Sequence, residues 1–178
     1  MKIIESAQEV PPRIGLLGLG QRKKTTSQRY NVLFLCPDNS AGSIIAEALM
    51  KRWGDDSFRA FSAGSRPGTE VHPMAMDILK AQRIWDQGLQ PKGCEEFLRQ
   101  DGPRMDFIIS MGDHPPDGLP AQWPGNPRVF HWRISEPIVD GKPAEKSHAF
   151  RRTFAELETR IKLFILVNEK EAMKRSAA

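Results

Sequence analysis

Cys36 is the residue best placed to do chemistry. It closes the apolar run Tyr30 to Leu35, and Pro37-Asp38-Asn39-Ser40-Ala41-Gly42-Ser43 follows before a helical pattern begins. A strand, a loop of small and turn-forming residues and a helix place a thiol beneath a ring of backbone N–H groups. That arrangement at a helix N-terminus is a ready-made anion site. A thiol attacks only as its thiolate, and converging N–H groups at a helix start favour that form. Asn39 tolerates a left-handed backbone and can fix the loop through its amide. Ser43 can cap the helix and donate a hydrogen bond to sulfur. Local pattern alone leaves a second reading open, a core cysteine at a strand end.

The elements that must position this loop follow from periodicity. Tyr30 to Leu35 reads as a central strand buried on both faces, and Ser43 to about Trp53 as a helix with Ile45, Leu49 and Trp53 on one face. Phe58 to Ala63 is a second strand, and His72-Pro73 opens a helix through about Arg83. Glu95 to Arg99 is a short helix, Met105 to Met111 a third strand and Val129 to Trp132 a fourth. Between the last two, Gly112 to Pro127 is a long proline- and glycine-rich loop. Phe150, Phe154, Leu157, Ile161 and Phe164 mark a final helix over about Ala144 to Val167. This order predicts an α/β fold, an open four-stranded, mostly parallel sheet with helices on both faces. Ligands of such sheets bind outside the carboxyl ends of the strands, where Cys36 lies.

Length and charge narrow the function classes. The chain has 178 residues, enough for one domain with a real core. We read 1–28 as an N-terminal extension, a flexible arm or strap, 29–170 as the single domain and 171–178 as a C-terminal tail. The net charge of +4 is too small to imply nucleic-acid binding and suits an anionic substrate. Two cysteines, Cys36 and Cys94, exclude a disulfide framework and make the cytoplasm the default compartment. No apolar run approaches the roughly 20 residues of a membrane helix, and no His/Cys spacing suggests a metal.

The Cys36 loop and its surroundings resemble the low-molecular-weight protein tyrosine phosphatases, in particular their arsenate-reductase branch. Cys36, Asn39, Ser40 and Ser43 match the signature loop, and Ile44-Ile45-Ala46-Glu47-Ala48-Leu49 matches the helix after it. Phe61-Ser62-Ala63-Gly64-Ser65, Val71-His72-Pro73, Pro103 to Phe107, Trp123-Pro124-Gly125, His131-Trp132 and the Phe150 to Ile161 helix are similar to that branch. The resemblance spans about 30–167. It implies that Cys36 attacks phosphorus or arsenic to form a covalent intermediate and that the N–H groups of the 37–43 loop hold the oxyanion. It also implies an acid on the loop after the fourth strand, which here is Glu136 of Ser135-Glu136-Pro137. The substrate would be phosphate, arsenate or a phosphorylated group, with no cofactor. A reductase would need an external thiol such as glutathione or a thiol-donor protein.

The departures from the family pattern are as informative. The family's loop arginine, which clamps two oxyanion oxygens in a planar fork, is replaced by Gly42. A positive group at such a place is worth about 10³–10⁵ in rate in phosphoryl transfer. Asp38 either faces the anion and repels it or points outward as a turn residue. Glutamate stands where the family acid is aspartate, and a loop carboxylate in solvent is the alternative role for Glu136. Ile138 follows Pro137, and Tyr30 is the only tyrosine, which disfavours a dedicated phosphotyrosine phosphatase. Met111 stands where thioredoxin-coupled reductases carry a further cysteine, and Cys94 reads as a packing residue. Arg66 is the best candidate to replace the missing cation, and Asp113 lies at the functional end of the third strand. His72 reads as a helix-start residue and His131 as a packed one. Three functions remain open: a weakened enzyme with Cys36 as nucleophile, a non-catalytic anion-binding or regulatory protein of the same fold, and a redox-sensing thiol.

Overall fold

Four parallel strands carry the site. The structure, a computed structural model, describes residues 29–176 apart from 86, 121, 135, 136 and 138–140, with side chains as far as Lys170. The proposed extension 1–28 lies outside the described residues. Strand β1 spans Tyr30–Cys36, β2 Phe58–Gly64, β3 Phe107–Met111 and β4 Arg128–Trp132. They lie in the order β2-β1-β3-β4, every neighbouring pair parallel. The chain leaves β1 for one side, then returns to build the other, so the order reverses between β1 and β3. That is the switch point at which open α/β sheets bind ligands, and Cys36 ends β1 there.

The two faces of the sheet are covered differently. Val32, Phe34, Phe58, Ala60, Phe107 and Ile109 pack beneath the helices α1 (Gly42–Gly54), α2 (Pro73–Ala81) and α3 (Pro143–Ser176). Leu33, Leu35, Ala63 and Ile108 point the other way, onto a 3₁₀ turn at Cys94–Phe97 and onto Leu119 and Trp123 of the proline-rich loop. Among the described residues the helical cover of this second face is a single 3₁₀ turn. Helix α1 is buried at every position from Gly42 to Met50, because sheet, α2 and α3 all contact it. Each fully buried Leu, Ile or Phe of this core contributes about 1.5–3 kcal/mol, so the loop between β1 and α1 is anchored at both ends.

Two helix ends differ from the sequence reading. Helix α2 stops at Ala81 because Arg83 turns left-handed, with φ 57°, and its N–H closes on the Lys80 carbonyl. Helix α3 runs on to Ser176, past Val167 and through most of the segment read as a tail. Glu169, Lys170, Glu171, Ala172, Met173 and Lys174 are strong helix formers, so propensity continues the helix after the apolar stripe has ended.

Candidate active site

The loop is shaped from outside by the segment after β2. The N–H groups of Arg66, Gly68 and His72 donate to the carbonyls of Pro37, Asp38 and Ser40, at 2.9, 2.7 and 2.9 Å. Gly64 is required for this approach. A Cβ there would lie 2.8 Å from the Pro37 carbonyl oxygen and 3.1 Å from both the Cβ and the backbone nitrogen of Asn39. Asn39 itself takes the left-handed conformation, φ 51°, that the turn demands.

Asn39 then organises the sulfur. Its Oδ1 accepts from the Lys92 backbone N–H at 2.7 Å, which fixes the amide so that Nδ2 donates to Ser43 Oγ at 2.8 Å. Ser43 Oγ lies 2.8 Å from Cys36 Sγ, where its hydroxyl can donate to the sulfur once that is a thiolate. The Asn39 backbone N–H also donates to Sγ, at 3.2 Å. The fully buried sulfur at the start of α1 thus has the Asn39 N–H and the Ser43 hydroxyl beside it, which can stabilise a thiolate, and the Asp38 carboxylate, which opposes one. Beneath them Glu47, almost wholly buried, bonds Ser62 Oγ and pairs with Lys51 at 2.8 Å and Lys92 at 3.4 Å. Lys92 thus serves the loop twice, through its backbone N–H and its ammonium.

The sequence pattern did not single out Lys92. It follows a proline and precedes a glycine, a stretch that reads only as extended chain. The Gly64–Gly93 bridge that brings it beside the loop is a long-range pairing.

The other expected site residues divide. Pro37, Asp38, Asn39, Ser40, Ala41, Gly42 and Ser43 form the loop and the first turn of α1 as expected. Asp38 is exposed, and its carboxylate lies along the loop and reaches the sulfur. Its Oδ1 accepts from the Cys36 thiol at 3.7 Å and from the Ser40 N–H at 3.2 Å, and its Oδ2 accepts from Ser40 Oγ at 2.6 Å. Arg66 touches the loop only through its backbone, and its exposed guanidinium has no partner among the described residues. Asp113 is exposed, and no polar contact joins it to the loop among the described residues. Glu136 lies outside the described residues, between buried Ile134 and buried Pro137.

His72, His131 and Cys94 are packed away from the sulfur, and the buried His131 Nε2 has no hydrogen-bond partner among the described residues. His72 caps α2, accepting from the Met74 N–H at 3.2 Å, and stacks on Phe150. His131 Nδ1 bonds Ser110 Oγ at 3.0 Å, on the sheet face opposite Cys36. Cys94 also packs on that opposite face, with Leu33, Ala63 and Phe97. Burial first, and the neighbouring Glu95 carboxylate second, push its thiol above the ordinary range. Among the described residues no three His, Cys, Asp or Glu side chains are grouped to hold a metal, and no helix is long and apolar enough to cross a membrane.

A strand-end cysteine, polar groups bonded to its sulfur and a helix start meet at the switch point of a 2-1-3-4 parallel sheet. Residues 31–177 match the family described as low molecular weight phosphotyrosine protein phosphatase, and the chain belongs to that family of enzymes. Within it the chain resembles arsenate reductases. The arsenate reductase of Halalkalibacterium halodurans is 28% identical over 134 residues, covering 75% of this chain and 93% of the relative. The thioredoxin-dependent arsenate reductase of Corynebacterium glutamicum is 26% identical, with a TM-score of 0.60 over 82% of this chain and 66% of that one. A second solved arsenate reductase, in its phosphate-binding state, is 25% identical with a TM-score of 0.62 over 77% of this chain and 97% of the other.

Proposed function

We propose that this protein is a thiol enzyme of the arsenate-reductase and phosphatase type, with Cys36 as nucleophile and a lowered rate owing to Gly42. The observation that carries the reading is the pair of donors, Asn39 N–H and Ser43 O–H, aimed at Sγ. Donors beside a sulfur favour the reactive form of the thiol.

The Cys36 thiolate attacks arsenic or phosphorus, forms a sulfur–arsenic or sulfur–phosphorus bond and expels water or an alcohol. Glu136 supplies the proton to that leaving oxygen. With phosphorus, water then attacks the adduct and returns the thiolate. With arsenic, an external thiol attacks Sγ, and the sulfur–arsenic electron pair leaves with arsenic as arsenite. The resulting mixed disulfide is resolved by a second thiol, so two thiols become one disulfide as arsenic(V) becomes arsenic(III). Cys94 does not take that role, because it lies on the other side of the sheet with its thiol held protonated. The reductant is therefore a small thiol such as glutathione or a thiol-donor protein.

The test is turnover of arsenate with an external thiol, and of an aryl phosphate, by the native chain and by Cys36→Ser. Activity lost in the variant supports the reading. Inertness of the native chain towards both substrates, with activity gained by Gly42→Arg, supports the second reading, a non-catalytic anion-binding protein. The placement of the Asp38 carboxylate 3.7 Å from Sγ favours that alternative.

A further inference from the structure

The loop already holds an anion of its own. Asp38 Oδ1 takes the Ser40 N–H, one of the donors an oxyanion would use, and stands 3.7 Å from the sulfur that would attack it. Ser40 Oγ binds the other carboxylate oxygen at 2.6 Å, which holds the group in this orientation. The Asp38 carbonyl is tied by the Gly68 N–H at 2.7 Å, so the backbone beneath is pinned as well. At Gly42 there is no side chain to neutralise this charge, and no ion pair to Asp38 forms among the described residues.

We propose that Asp38 is a specificity-determining residue that selects against dianions, so that the site takes oxyanions or esters bearing a single negative charge, such as the monoanions of arsenate and phosphate. This rests on the reading of the loop as the substrate site. Two unit charges about 4 Å apart repel by a factor of about five in water, and by more beside a low-dielectric wall. A bound dianion feels that factor twice, so the carboxylate disfavours it by about 25-fold and a monoanion by about fivefold. Selection by charge then arises from one side chain, with no change in loop shape.

The experiment uses two tetrahedral anions of fixed charge, sulfate and methanesulfonate, titrated calorimetrically into the full chain and into Asp38→Asn. Asparagine keeps the size and the acceptor oxygen for Ser40 while removing the charge. Asp38→Ser, which keeps a turn-forming hydroxyl, repeats the measurement if the first variant melts early. The expected result is that sulfate binding tightens about 25-fold and methanesulfonate binding about fivefold. Sulfate binding that becomes measurable only in the variants supports the proposal equally. An equal change for both anions overturns it, as does no change, or no binding of either anion in any form. Binding is read without turnover, so a chain inert in catalysis that still shows the charge-dependent shift refutes only the enzymatic reading.

Discussion

Ser43→Ala separates a hydroxyl that serves the sulfur from one that merely fills the core. Ser43 Oγ lies 2.8 Å from Cys36 Sγ and 2.8 Å from Asn39 Nδ2. The Lys92 N–H on Oδ1 sets the orientation of the Asn39 amide, so Nδ2 donates to Ser43 Oγ and leaves the hydroxyl proton free to serve a Cys36 thiolate. A hydrogen bond to a charged group contributes about 1.5–3 kcal/mol. Loss of a donor to the sulfur makes the Cys36 thiolate harder to form, so the variant's thiolate should appear at higher pH. The sign is fixed, because a donor to the charged form favours ionisation and its removal disfavours it. The variant also leaves Asn39 Nδ2 without its acceptor in a buried place, which costs about 1–3 kcal/mol of stability. The assay is ultraviolet thiolate absorbance through a pH titration, with Cys36→Ser as the blank and a thermal melt beside it. Ser43→Thr keeps the hydroxyl and should restore the native curve. A lowered melting temperature with an unmoved thiolate curve would refute the argument, since Ser43 would then only support Asn39.

The remaining predictions concern the supports of the loop. Gly64→Ala places a Cβ 2.8 Å from the Pro37 carbonyl oxygen, where backbone rather than a side-chain tip must yield. It should cost about 1–3 kcal/mol in a denaturant melt and weaken sulfate binding, whereas native-like values for both would show that the contact relaxes freely. Glu47→Ala leaves Lys92, whose side chain is 15% exposed, without its buried carboxylate. A loss of about 3 kcal/mol is expected by chemical denaturation, and a loss under 1 kcal/mol would mean that the cluster is already hydrated. Cys94→Ser should leave turnover with an external thiol unchanged. In the native chain, alkylation of Cys94 followed by mass spectrometry should begin only above the usual thiol range, since burial holds the proton to higher pH. A Cys36–Cys94 disulfide after arsenate turnover would contradict both expectations.

The legible parts of this fold were those written in local pattern. Tyr30 to Leu35 reads as a buried strand because every residue from Val32 onward is apolar, and the structure buries both its faces. Pro73 after His72 marks a helix start that the structure confirms, down to the side-chain cap. The end of α2 was less visible, because nothing in Gln82-Arg83-Ile84 announces a left-handed residue without glycine. The direction of Asp38 was open as well: an aspartate two residues after a strand end serves a turn or faces the site equally well. Ser40 decides it, by binding both the outer oxygen and, through its N–H, the inner one. Lys92 was invisible for a different reason. Its part in the site is a main-chain N–H, and any residue type other than proline supplies one.

This division explains how the loop keeps its form without the family's arginine. Its curvature comes from Asn39 in the left-handed region, from the close approach allowed by Gly64 and from the carbonyl bonds to Arg66, Gly68 and His72. Its sulfur is aligned by Asn39 and Ser43, and these are held by Lys92 and the buried Glu47. None of these contacts involves a side chain at position 42. Gly42 brings no charge to the loop, while Asp38 brings a carboxylate that reaches to 3.7 Å from the sulfur. The two residues act on one quantity, the potential at the anion position, and they act in the same direction.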